Sequence, residues 1–71
     1  MNKRAYDDGY AHGYLSDEDL KEIGHTPESF RKHVEKEYRQ NVYDSRLTKD
    51  EREAYWGILD GANDRLKREG R

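Results

Sequence analysis

Three histidines, two acidic clusters and eight aromatic side chains are the groups here that could do chemistry. Zinc sites present histidines at i,i+3 or i,i+4 with further ligands nearby. His12, His25 and His33 are spread over different segments, and only His33 and Glu37 stand at i,i+4. Cysteine is absent, which excludes disulfides and thiolate metal sites. Asp7-Asp8 and Asp17-Glu18-Asp19 lack the alternating acids, sixth-position glycine and twelfth-position glutamate of a calcium loop. Gly9 and Gly13 do not follow a strand, so they are not a dinucleotide fingerprint. A chain of 71 residues also has little room to enclose a substrate-sized pocket. The expectation is therefore a non-enzymatic protein with no cofactor and no metal.

The aromatics are the better lead. Tyr and Trp stack on nucleic-acid bases, and they also anchor protein interfaces. Five of the eight aromatics and four of the six glycines lie in two segments near the chain ends. In the first, Tyr6, Tyr10 and Tyr14 recur every four residues beside Ala5, Gly9 and Gly13. In the second, Tyr55 and Trp56 lie beside Ala54, Gly57 and Gly61. Each glycine costs a helix about 1 kcal/mol relative to alanine. Four of them in two helices imply a close crossing, with an aromatic ridge seated against a glycine groove.

Four helical segments must position these groups. Lys3 to Leu15 reads as the first, with Asn2 as cap. Ser16 caps a second over Asp17–Ile23, acidic in its first turn and closed by Gly24, with Leu20 and Ile23 facing inward. Thr26-Pro27 starts a third that runs to about Val42. Thr48 to Glu51 is a capping box opening a fourth that reaches about Lys67. The phasing places Tyr10, Tyr14, Phe30, Val34, Tyr38, Tyr55, Ile58, Leu59, Ala62 and Leu66 in the core. The fold expected is all-α, a compact bundle of three to four helices in one domain.

Charge is 42 % of the composition, but the net charge is only −2. Acids and bases alternate at i,i+4: Asp17 with Lys21, Glu28 with Lys32, Arg31 with Glu35, Glu35 with Arg39, Asp64 with Arg68, Arg65 with Glu69. That is a solvated helix surface, neither disorder nor a basic nucleic-acid track. No apolar run approaches the roughly twenty residues of a membrane span, and nothing resembles a signal peptide. A cytoplasmic protein is expected. Only nine residues are Leu, Ile or Val, and cores this thin are usually completed by a staple or a partner. Hence a protein partner, or a homodimer, is expected. Tyr6, Tyr43 and Trp56, with Arg31 and Arg39, are the candidate partner-binding residues.

The end blocks resemble the ribosome modulation factor family and its small phage-borne relatives. Those chains pair an Ala-x-x-x-Gly-Tyr-x-x-Gly helix with a later Tyr-Trp helix rich in Gly and Ala. Arg4-Ala5, Gly9-Tyr10 and Gly13 match the first block; Tyr43 and Tyr55-Trp56, with Gly57, Gly61 and Ala62, loosely match the second, the spacing from Trp56 to Gly61 and Ala62 departing from the family pattern. The likeness covers about half the chain. The family's Pro-Tyr is replaced by Asn41-Val42-Tyr43, and residues 16–40 form an insertion. The resemblance implies a two-helix core and a phage or mobile-element origin. The functional expectation is a phage-encoded modulator, an inhibitor, of a host protein in the host cytoplasm. The alternative is a ribosome- or RNA-associated factor, which this slightly acidic chain fits less well than the family's basic members.

Overall fold

The computed structural model describes residues 3–69, residue 69 by its backbone. Four α-helices follow in order: α1 (Lys3–Gly13), α2 (Asp17–Glu22), α3 (Pro27–Tyr38) and α4 (Lys49–Glu69). A 3-10 turn, Gln40–Tyr43, lies between α3 and α4. The fold is all-α. The punctuation expected from sequence is present in atomic detail. Ser16 Oγ accepts the Asp19 N–H, and Gly24 takes φ 78° just beyond α2. Thr26 and Ser29 form a reciprocal capping box behind Pro27. Thr48 and Glu51 form another, at 3.1 Å in both directions.

Helices α1 and α4 run side by side and parallel. A Cβ added to Gly9 would strike the Ala54 carbonyl, and one on Gly13 the Ile58 carbonyl. From the other side, a Cβ on Gly57 would strike the Tyr6 carbonyl, and one on Gly61 the Tyr10 carbonyl. Numbers rise together along both helices, so α1 and α4 pair in parallel register. The contact is glycine against backbone on both sides. The tyrosine ridge lies beside this seam and not inside the glycine groove, which corrects the interdigitation expected from sequence.

Parallel neighbours need a return element, and α3 supplies it. It runs antiparallel to α4: Arg31 Nε donates to Asn63 Oδ1, while Tyr38 stacks on Tyr55 with ring centres 5.4 Å apart. Leu20, Phe30, Val34 and Ala62 form the core, flanked by Leu15, Tyr38, Ile58 and Leu59. All ten residues expected in the core are buried or half-buried. Val42, from the 3-10 turn, is buried as well.

Several local expectations are corrected. Ile23 does not face inward; it is 51 % exposed because it is the C-cap of a two-turn helix. Helix α3 stops at Tyr38, short of Val42: residues Gln40–Tyr43 tighten into the 3-10 turn, where Asn41 donates to the Glu37 carbonyl from its side-chain Nδ2. Arg65 is no surface residue. It is 2 % exposed, donates from Nε to the Leu15 carbonyl at 2.7 Å, and pairs with Asp17, which was expected to face Lys21. Asp64 accepts the Tyr10 hydroxyl where Arg68 was expected. The Asn2 cap and Glu69 as a partner for Arg65 lie outside the described residues.

Candidate protein-docking groove

On α3, Arg31, Glu35 and Arg39 are spaced by four residues and share one face. Val34 sits below them, 1 % exposed. Facing it, α4 presents Trp56, Leu59, Asp60 and Asn63 at helical spacing. Together these eight residues line a groove of about 130 Å³. Its floor is apolar and its walls carry opposite charge.

The α3 wall is held by one carboxylate. Glu35 receives Arg31 at 3.0 Å and Arg39 at 2.8 Å, one guanidinium on each oxygen. Arg31 also reaches across the groove to Asn63 at 3.1 Å. Arg39 keeps 59 % of its side chain exposed, so it can exchange its carboxylate for another without breaking the core. At one end of the groove Trp56 is 38 % exposed and meets Tyr43 edge-on, ring centres 6.1 Å apart. Tyr43 itself is 68 % exposed. An exposed aromatic pair of this kind is a desolvation anchor lacking a counterpart in the fold.

The α4 wall is acidic and tied to α1. Tyr6 donates to Asp60 Oδ2 at 2.5 Å, and Tyr10 donates to Asp64 Oδ2 at 2.7 Å. Both pairs span 54 residues, the constant offset of a parallel register. Hydrogen bonding to the Asp60 carboxylate, then burial and the charge of that carboxylate, push the Tyr6 phenol up to about 12. Asp64 does the same to Tyr10, also to about 12. These phenols stay protonated and serve as donors.

All five side chains singled out from sequence border this one face. Arg31, Arg39 and Trp56 line the groove, Tyr43 packs on Trp56, and Tyr6 holds Asp60 in the opposite wall. Glu35, Asp60 and Asn63 complete the face and were not foreseen as a group. Glu35 was legible only as an i,i+4 pair, and the acids of α4 gave no sign of which tyrosines they would receive.

The histidines also move relative to expectation. The α2–α3 loop brings His25 beside His33, ring centres 5.2 Å apart, although the sequence disperses them. Among the described residues, no group of three or more His, Cys, Asp or Glu could hold a metal ion. No described helix is long and apolar enough to cross a membrane. In the comparisons with known proteins, no family model, curated protein or solved structure matches the chain.

Proposed function

We propose that this chain works by binding another protein, and that the α3–α4 groove beside Trp56 is the docking face. The observation that carries this reading is the convergence of an exposed Trp-Tyr pair with a groove whose two walls carry opposite charge. A cavity of about 150 Å³ is known to hold a benzene ring, so a groove of 130 Å³ suits one large apolar side chain. The partner segment presents that side chain as an anchor. A carboxylate beside it takes Arg39, and a basic group on its other flank faces Asp60. Trp and Arg are the residue types that dominate such interfaces.

The more specific form, a phage-encoded inhibitor of a host protein, rests on the resemblance of the end blocks. RNA association receives less support. Arg31 and Arg39 are already shared with Glu35, and Asp60 forms the facing wall, so the groove offers no continuous positive track for phosphates.

The test is capture from host lysate, identification by mass spectrometry, and binding of the purified partner to variants. Trp56→Ala and Arg39→Glu should each lose the partner, while Lys67→Ala on the far end of α4 should keep it. Retention by both groove variants would refute the docking face. Capture that vanishes with nuclease and weakens steeply with salt would favour the RNA reading.

A further inference from the structure

We propose that His25 and His33 form a two-imidazole site for a borderline divalent transition-metal ion such as Zn²⁺. The pair lies apart from the docking groove. His33 is two positions from both Arg31 and Glu35, which on a helix is about 200° around, so it projects away from the groove wall.

Three observations converge. The first is ring spacing. Zinc–imidazole bonds of about 2.0–2.1 Å put each ring centre about 3.2 Å from the ion, and two ring centres about 5.2 Å apart at a tetrahedral angle. The observed separation is 5.2 Å, with ring planes inclined by 35°. The second is preorganisation. The His25 ring meets buried Phe30 edge-on at 5.8 Å, which restrains it.

The third is the hydrogen bonding around Ser29. Its Oγ accepts the Thr26 N–H at 2.9 Å and lies 3.0 Å from His25 Nδ1. That contact occupies Nδ1 and leaves Nε2 as the ring nitrogen a metal would take, with the second nitrogen hydrogen-bonded as in established metal sites. Imidazole suits zinc, copper and nickel. No third protein ligand completes the group among the described residues, so water fills the remaining positions and the affinity is modest. The ion would clip the α2–α3 loop to α3 in a chain that has no cysteine, the kind of staple small scaffolds commonly use.

The experiment is titration of the untagged full-length chain with Zn²⁺ by calorimetry, with thermal melting alongside. One equivalent should bind saturably, and the melting midpoint should rise by about 5 °C at saturation, because an ion that binds only the folded state stabilises it. His33→Gln, an exposed change, should remove both effects without altering the zinc-free midpoint. His25→Gln should also remove both effects, from a lower zinc-free midpoint because its ring packs on Phe30; Ser29→Ala should weaken binding by freeing the His25 ring, and His12→Gln should bind like the parent. Undiminished one-to-one binding in the His25→Gln/His33→Gln double variant would overturn the proposal. So would no saturable binding by the parent chain.

Discussion

Arg65 shows how one side chain can hold a corner of a small fold. Its guanidinium is buried, while its partner Asp17 keeps 84 % of its side chain exposed. The two ends of the pair are therefore unequal. Arg65→Ala removes the hydrogen bond to the Leu15 carbonyl and opens a void between α4 and the α1–α2 turn. Denaturant unfolding should show a loss of about 2–4 kcal/mol. Asp17→Ala strips a solvated carboxylate and should cost less than about 1 kcal/mol. Equal losses would mean that the ion pair, and not the burial, holds the corner.

Tyr6 and Tyr10 make the second residue-scale prediction. Both phenols lie at about 12 in the folded chain against an ordinary 10. A raised pKa means the folded state holds its proton more tightly. The stabilisation is complete below pH 10, falls between 10 and 12, and is gone above 12. Absorbance titration should show two of the six tyrosines ionising near pH 12, with stability declining over that window. Asp60→Asn together with Asp64→Asn should bring both phenols back toward 10. Unchanged titration in that double variant would refute the pairing.

At the scale of elements, the sign of a glycine substitution separates local propensity from packing. In an isolated helix Gly57→Ala would stabilise by about 1 kcal/mol. In this fold the new Cβ would collide with the Tyr6 carbonyl, which belongs to backbone and cannot rotate aside. The expected outcome is destabilisation of about 3 kcal/mol or more, read as a lower urea midpoint, with Gly13→Ala behaving alike against Ile58. A gain in stability at either position would mean that α1 and α4 stand further apart. The same seam explains residues 16–47. Two parallel helices cannot be joined by a tight turn, so α2, α3 and the 3-10 segment form the crossover that the end-block pattern alone leaves unexplained.

At the scale of the molecule, Trp56 is 38 % exposed and meets the exposed Tyr43 edge-on, outside the Leu20–Phe30–Val34–Ala62 core. Trp56→Ala should consequently separate binding from folding: loss of the partner, with a melting midpoint within a few degrees of the parent. A large drop in midpoint would place Trp56 in the core's service instead. Sedimentation at micromolar concentration completes the picture. A mass near 17 kDa that Trp56→Ala returns to 8.5 kDa would give the groove to a second copy of the chain.

What the sequence determined by itself was carried by neighbours in the chain, though not every local pattern held: Ile23, the end of α3 and the pairs Asp17–Lys21 and Asp64–Arg68 were all redirected by the fold. Helix starts at Ser16, Thr26 and Thr48, the stop at Gly24, and the apolar stripe from Phe30 to Tyr38 rest on contacts within four residues, whose geometry is nearly independent of the fold. The glycine spacing even disclosed the α1–α4 seam, since nothing local rewards four glycines in two helices. Tertiary structure decided the rest. The parallel sense of α1 and α4, the burial of Arg65, the Tyr6–Asp60 and Tyr10–Asp64 pairs and the meeting of His25 with His33 depend on which distant segments share space. Arg65 had an acid at i+4 and so read as surface, but a chain that folds back can offer a carbonyl and a carboxylate from 50 and 48 residues away. A short-range pattern contains no record of that competition, because its outcome is set by the burial the whole fold gains.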